Sequence, residues 1–285
     1  MKTFKTAFLL TALTLLLLFI GQIIGGRNGM TIALFFAVIM NGVAYFFSDK
    51  IALMSSGARP ISREESPRLY AVMERLAAKA NLPTPRLYMI PQAAPNAFAT
   101  GRNPHHASVA VTQGLMELMD DEELEGVIAH ELSHVRNYDI LTSSIAATLA
   151  GAITWIAEMG RWGMIFGGMG GGGRRDREGG GIAAILMLFL GPIAAMLLQL
   201  GVSRQREYQA DASGAKMVGH PYGLIRALEK LGAYNKRIPM DISPSTSALC
   251  IVAPLSAGEL FTGLFSTHPP LAERIARLQN MTITR

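Results

Sequence analysis

Two long hydrophobic stretches lie near the N-terminus of the chain. No charged residue occurs from 6 to 26 or from 30 to 47, and each stretch, as a helix, can cross a hydrocarbon core of about 30 Å. A cleavable signal peptide is the alternative for the first stretch, because Lys2 and Lys5 precede it. That stretch is too long, has no Ala-x-Ala cleavage site and is followed at once by a second one. We therefore predict an uncleaved transmembrane hairpin within residues 1–47.

A second hydrophobic pair, 140–160 and 181–203, predicts another hairpin within residues 139–203. The connecting loop, 163–181, is rich in glycine, which is typical of flexible, low-complexity segments. The loop lacks the Lys-Ser/Thr pair that follows a phosphate-binding turn. The pattern therefore indicates about four membrane helices and no nucleotide site.

The polar segment after the first hairpin predicts a helix and a small sheet. Apolar residues recur at helical spacing over 66–80, and three short extended runs follow at 86–90, 96–100 and 108–112. Prolines between these runs are typical of a small sheet with an exposed edge. Such an edge could bind an extended polypeptide by adding it as a further strand, and Asn96 is a candidate contact for that backbone. A purely structural sheet is the alternative.

A second amphipathic helix is predicted to begin at Asp120. Glu123 lies three residues later, as in a capping box, and the run of acidic residues favours the positive end of a helix. This helix contains His130-Glu131-Leu132-Ser133-His134. Residues four apart share a helix face, so both imidazoles can reach one metal ion. The spacing is that of zinc hydrolases, with Glu131 as the general base.

A catalytic zinc site usually has three protein ligands and an open position for water. A third histidine six residues after the motif is excluded, because Asn137 and Ile140 stand where that pattern needs Gly and His. The best remaining candidate is Glu207. Asp211 shares its helix face and could orient a ligand imidazole. A charged cluster that solvates a helix end is the alternative for this segment.

One metal bound by residues on both sides of the second hairpin constrains the topology. His130 and His134 precede that hairpin, and Glu207 follows it. The chain must therefore return to its starting side between them. Residues 48–138 and 204–285 are then the two halves of one water-facing domain close to the bilayer.

The distribution of Lys and Arg predicts the orientation of this domain. Basic residues are more frequent before the first span and after the second than between them. By the positive-inside rule, the termini and the split domain face the cytoplasm. Basic residues within 161–180 conflict with this rule. Either the fold holds the second hairpin against its charge preference, or that hairpin does not fully cross.

The composition excludes some functional classes. Half of the residues are hydrophobic and only 16% are charged, which is too apolar for an ordinary soluble domain. The net charge of +5 suits an anionic membrane face, and no basic helix or aromatic-basic ladder indicates nucleic-acid binding. Cys250 is the single cysteine, so no internal disulfide is needed and a reducing compartment is acceptable.

The ordered set of motifs resembles one family over essentially the whole chain. After two N-terminal spans come P-N-A-F-A-T-G at 95–101, H-E-L-S-H-V-R-N-Y-D at 130–139, a hydrophobic pair, S-R-Q-R-E-Y-Q-A-D at 203–211 and S-T-H-P-P at 266–270. This set resembles the HtpX membrane zinc peptidases, relatives of the Ste24 CAAX proteases in the M48 group. The zinc motif alone occurs in many families, whereas the ordered set is specific.

The resemblance implies a gluzincin fold, predominantly helical with a small β-sheet, attached to the membrane helices. It implies one Zn²⁺ held by His130, His134 and Glu207, with Glu131 as base and Asp211 behind a ligand. It also implies cleavage of unfolded or damaged membrane proteins in envelope quality control at the bacterial cytoplasmic (inner) membrane. A multi-pass chain whose catalytic domain faces the cytoplasm, in contact with the lipid bilayer, fits this role.

A further donor should stabilise the oxyanion of the reaction. Candidates are His268, Tyr208 and Arg204, and His268 could instead be a residue at a helix start. Two other functions compete. Intramembrane proteolysis would require burial of the four acids that precede the zinc motif, which is costly. A non-catalytic scaffold or holdase would have no need to retain Glu131 and the metal ligands.

Overall fold

The computed structural model describes residues 2–167, 203–235, 246, 248–252 and 269–282. These residues form a mostly helical structure with one small mixed sheet. The helices are α1 (Lys2–Ser55), α2 (Pro67–Lys79), α3 (Gln113–Leu118), α4 (Asp121–Arg136), α5 (Asp139–Gly167), α6 (Arg204–Val218), α7 (Tyr222–Asn235) and α8 (Leu271–Gln279). The strands are β1 (Arg59–Pro60), β2 (Arg86–Ile90), β3 (Ala97–Gly101) and β4 (Ala107–Thr112), with a 3₁₀ turn at Pro104–His106.

Helix α1 is interrupted at Gly25 and Gly26, where the backbone leaves helical geometry. Gly26 has φ +57°, a conformation that glycine adopts without a steric penalty. The segments Thr6–Ile23 and Gly25–Ser55 are long and apolar enough to cross a membrane. Their apolar side chains are largely exposed, so they present a surface suited to lipid. The two helices thus have the length and composition predicted for membrane spans near the N-terminus.

Helix α5 packs against α1. Thr6 Oγ1 and Thr142 Oγ1 share a buried hydrogen bond of 3.1 Å. Around it, buried residues of both helices form one apolar cluster, which includes Leu9, Leu13, Ile145 and Leu149. The predicted span 140–160 therefore lies within a continuous helix. The predicted span 181–203, apart from its last residue, and most of the loop at 163–181 lie outside the described residues.

The sheet has the strand order β1-β2-β4-β3. Strand β4 pairs parallel with β2 and antiparallel with β3. The three predicted strands are found within one residue of their predicted bounds, as is helix α2, which was predicted over 66–80. Strand β3 is the edge strand next to the zinc motif, but it is covered, and binding of an extended polypeptide at this edge stays a prediction. All five residues of β3 are buried, and at its outer edge the Ile251 N–H donates to the Ala97 carbonyl at 2.9 Å.

Helix α4 packs against α2, β3, α6 and α7. Its start has the predicted capping box, in which Asp120 accepts from the Glu123 N–H and Glu123 accepts from the Asp120 N–H. Helix α6 approaches closely at Gly214. A Cβ there would lie 2.9 Å from the backbone nitrogen of His130, so the approach requires a glycine. This contact brings α6 alongside the histidine motif.

Candidate metal centre

Three predicted ligands meet between α4 and α6. His130 Nε2 and His134 Nε2 are 3.2 Å apart. His130 Nε2 lies 3.6 Å from Glu207 Oε2, and His134 Nε2 lies 3.4 Å from Glu207 Oε1. One ligand atom from each residue can be chosen so that all three lie within 4.8 Å of one another. The structure therefore brings the two imidazoles and the distant carboxylate to one point.

The spacing of these atoms fits a tetrahedral metal ion. Ligand atoms bound at about 2.0–2.1 Å to a tetrahedral zinc ion are about 3.3 Å apart. The two imidazole nitrogens are 3.2 Å apart, and each lies 3.4–3.6 Å from one of the two Glu207 oxygens, which is close to that spacing. Two imidazole nitrogens and one carboxylate oxygen also form a donor set that zinc accepts. The residues therefore fit a metal with one coordination position left open.

Asp211 and Arg274 lie on the Nδ1 side of His130. Asp211 Oδ1 lies 2.9 Å from His130 Nδ1. Arg274 donates to both oxygens of Asp211, from Nε at 2.8 Å and from Nη2 at 2.7 Å, and Nη1 donates to the Ile251 carbonyl at 2.7 Å. Arg274 has no exposed surface. This bidentate contact fixes the carboxylate that orients the imidazole.

Electrostatics at this cluster follow from burial and from close opposite charges. Burial opposes a charged imidazole, but hydrogen bonds with Asp211 and Glu207 outweigh it and raise the pKa of His130 to about 9 in the metal-free protein. Burial would raise the pKa of Asp211, but the Arg274 guanidinium outweighs this effect and lowers it. Asp211 is therefore an anion that can accept a hydrogen bond from His130.

Glu131 lies beside the three candidate ligands and is only 2% exposed. Its carboxylate accepts a hydrogen bond from the Ala99 N–H on β3. Burial raises the pKa of Glu131, although the neighbouring histidines and the Ala99 N–H partly counteract this effect. A raised pKa suits a carboxylate that must accept and then release a proton near neutral pH.

A pocket opens onto these groups. Its wall includes the ligand residues, Glu131, Ala99 on β3, residues of α5, and the segment 248–251. Cys250 lies in this wall and is fully buried, and burial raises the pKa of its thiol, so the thiol is neutral near pH 7. The pocket wall therefore combines apolar side chains with the polar groups of the candidate metal site.

The other predicted contact residues lie elsewhere. The Asn96 side chain is buried and donates to the Val252 carbonyl at 2.9 Å, so it joins β3 to that segment. Tyr208 bonds to Glu273 and lies under the Arg277 guanidinium, 3.8 Å from the ring centre. The exposed Arg204 and the half-buried Tyr208 are not in the pocket wall that the described residues form.

His268, the remaining oxyanion candidate, lies outside the described residues. Stabilisation of the oxyanion by His268 therefore stays a prediction.

Comparison with known proteins places this geometry in a family. The model of peptidase family M48 matches residues 63–282, which include α4, α6 and α8. The chain belongs to peptidase family M48. Membership makes it a metalloprotease, and the two apolar N-terminal helices make it a membrane protein.

Several bacterial M48 relatives are similar over nearly the full chain. A protein named "Protease HtpX homolog" from Desulfatibacillum aliphaticivorans is 56% identical over 274 residues, which cover 96% of this chain and 88% of the relative. A protein of the same name from Aquifex aeolicus is 50% identical and covers 92% of this chain and 87% of the relative. The crystal structure of S. mikatae Ste24p has the same fold, with a TM-score of 0.52 and 21% identity. The match covers 97% of this chain but 64% of that longer one.

Sequence reasoning missed three features of this M48 site: Arg274, Asp139 and the segment 248–252. Arg274 lies in an amphipathic helix whose pattern suggests an exposed charge. Asp139 lies just beyond the histidine motif, and its Oδ2 is 3.5 Å from His134 Nδ1. An acidic residue near a ligand histidine was a signal that could have suggested this contact.

Proposed function

We propose that the chain is a zinc-dependent endopeptidase that hydrolyses peptide bonds of misfolded or damaged membrane proteins. His130, His134 and Glu207 hold the metal, and Glu131 is the general base. The observation that carries this proposal is the cluster of His130, His134 and Glu207, whose ligand atoms lie within 4.8 Å of one another, next to the buried Glu131 carboxylate.

Zinc held by these three residues would lower the pKa of a bound water towards neutrality and polarise the scissile carbonyl. The protein residues then have separate tasks. Glu131 accepts the proton of the attacking water and passes it to the leaving amine. Ala99 holds the Glu131 carboxylate in place through its N–H. Asp211 accepts from His130 Nδ1, so that Nε2 is free to bind the metal.

The fold supports a gluzincin-type arrangement with a split catalytic domain. Residues 48–138 supply the histidine helix, and residues 204–285 supply Glu207, Asp211 and Arg274. Helix α5 leaves the site and packs against the membrane hairpin α1, which supports a second hairpin within residues 139–203. Four membrane helices in all, with the site close to the bilayer, follow from this arrangement.

The location is also part of the proposal. The relatives are bacterial proteins named as HtpX protease homologues, which supports the cytoplasmic (inner) membrane. Basic residues precede the first span and follow the second, and this distribution favours a catalytic domain in the cytoplasm. A site near the membrane surface would suit damaged membrane proteins as substrates.

Cleavage of an unfolded protein by the detergent-purified full chain tests the function. The protein is stripped with a chelator and then given zinc, and Glu131→Gln is assayed beside it. Glu125→Gln is the matched control, because Glu125 lies on the same helix but pairs with Arg75. We expect zinc-dependent cleavage by the wild type and the control, and a loss of at least about 100-fold in Glu131→Gln, with unchanged zinc content.

Equal cleavage by all three proteins would contradict the role of Glu131. A chain that binds zinc, fails to cleave and still prevents aggregation of the unfolded protein would instead favour the holdase function. Because that activity needs no general base, it would survive in Glu131→Gln.

A further inference from the structure

The second metal-binding imidazole also has a carboxylate and an arginine behind it. Asp139 Oδ2 lies 3.5 Å from His134 Nδ1, and Arg206 Nη1 lies 3.6 Å from Asp139 Oδ1. The three side chains are 13–15% exposed. This arrangement repeats, on the other ligand, the contact of His130 with Asp211 and Arg274.

The geometry assigns the two nitrogens of His134 to different tasks. Nε2 faces the other ligands, 3.2 Å from His130 Nε2 and 3.4 Å from Glu207 Oε1. Nδ1 is therefore the nitrogen that faces away from the metal position and towards Asp139. A carboxylate in this position fixes the tautomer and the ring plane of a ligand histidine and raises its basicity.

A specific turn brings Asp139 to this position. On an uninterrupted helix, positions five apart point about 140° away from each other, so Asp139 would not face His134. Helix α4 ends at Arg136, and Tyr138 adopts φ +61°, a left-handed conformation that is uncommon for a residue other than glycine. Helix α5 begins at once with Asp139. The turn thus folds the first residue of α5 back onto the metal ligand.

We propose that Asp139, held by Arg206, is a positioning residue that orients His134 for metal binding. The inference rests on the proposed metal site. It gives each ligand histidine its own carboxylate, one from α6 and one from the start of α5. Since α5 packs against the membrane hairpin, it also connects the metal site directly to a membrane-associated helix.

The competing role for Asp139 is structural. An acidic residue in the first turn of a helix interacts favourably with the helix dipole, and this effect would change stability without changing metal affinity. The test therefore measures metal affinity and the metal environment. The full chain in detergent is titrated with zinc against a chromophoric chelator, and the absorption spectrum of the cobalt-substituted protein is recorded.

Three substitutions separate the roles. Asp139→Ala removes the acceptor, and Asp139→Asn keeps the shape and an acceptor oxygen but removes the charge. Asp121→Ala is the matched control, because Asp121 is the first residue of α4 and its side chain is 86% exposed. We expect zinc affinity to fall about 10- to 100-fold in Asp139→Ala, less in Asp139→Asn, and less than twofold in Asp121→Ala. The cobalt spectrum should shift only in the Asp139 variants.

Zinc affinities within twofold of wild type in both Asp139 variants, with an unchanged cobalt spectrum, would overturn the inference. Asp139→Asn is nearly isosteric, so it gives a result even if Asp139→Ala does not fold. Failure of the underlying site is distinguishable. In that case the wild type itself would lack one zinc per chain, or would keep it in His134→Ala.

Discussion

Replacing Arg274 by methionine removes the guanidinium that neutralises Asp211 while it keeps most of the side-chain volume. Asp211 is 3% exposed and accepts from Arg274 at 2.7 and 2.8 Å. Water cannot take the place of these two hydrogen bonds at such a buried position. The substitution therefore leaves a buried carboxylate without its main counter-charge.

The size of the effect follows from this burial. Breaking a buried ion pair by removing one partner costs about 3–5 kcal/mol. A loss of 1 kcal/mol lowers the Tm of a chain of this size by about 2–4 °C. We therefore expect the Tm of Arg274→Met to fall by roughly 6–20 °C. The loss should be visible in the metal-free protein, because the ion pair does not depend on the metal.

Thermal unfolding in detergent, followed by intrinsic fluorescence, measures this change. Arg277→Met is the matched control, because Arg277 lies on the same helix, is 57% exposed and pairs with Glu273 only four residues away. Its ion pair and its contact with the Tyr208 ring together contribute about 1 kcal/mol. The Tm of this control should fall by no more than about 4 °C.

A double variant tests the physical reason. Adding Asp211→Asn to Arg274→Met removes the buried charge, so the double variant should be more stable than Arg274→Met alone. Equal falls in Tm for the Arg274 and Arg277 variants would refute the reasoning. A double variant less stable than Arg274→Met would do so as well.

Two further predictions concern metal binding. A side chain at Gly214 would meet the α4 backbone at His130. Gly214→Val should therefore separate α6 from α4 and weaken zinc binding at least about tenfold. The control is Gly219→Ala, at a position with open space but a φ of +111°, which should lower the Tm yet leave zinc affinity within twofold. Because the pKa of His130 is about 9 in the metal-free protein, zinc must displace a proton below that pH, and its affinity should rise about tenfold per pH unit between 7 and 8.5. An unchanged affinity in Gly214→Val, or over that pH range, would contradict the respective argument.

Local patterns predicted much of the fold. The capping box at Asp120 and Glu123 and the apolar spacing that follows predicted α4 correctly. The uncharged stretches from 6 to 26 and from 30 to 47 predicted the helices of the N-terminal hairpin, because length and apolarity decide whether a helix can span a bilayer. The strands were predicted from short extended runs separated by prolines, which are also local signals.

Long-range packing was less accessible. Glu207 could be predicted as a ligand candidate because the histidine motif required a third donor. Arg274 could not, since it lies 144 residues from His130 and its helix has the charge pattern of a surface helix. The burial of β3 depends on Ile251, which no local pattern pairs with that strand. The contact of Asp139 with His134 depends on a left-handed turn at a tyrosine, a conformation that sequence does not favour.

X-ray absorption at the zinc edge of the purified full chain tests the proposed metal ligands. We expect one zinc per chain bound only by nitrogen and oxygen, at about 2.0–2.2 Å, with two histidine ligands. Loss of one histidine signal in His134→Ala should accompany weaker binding. Because the Cys250 thiol lies in the same pocket wall, a sulfur ligand at about 2.3 Å would contradict the assignment, as would an unchanged spectrum in His134→Ala.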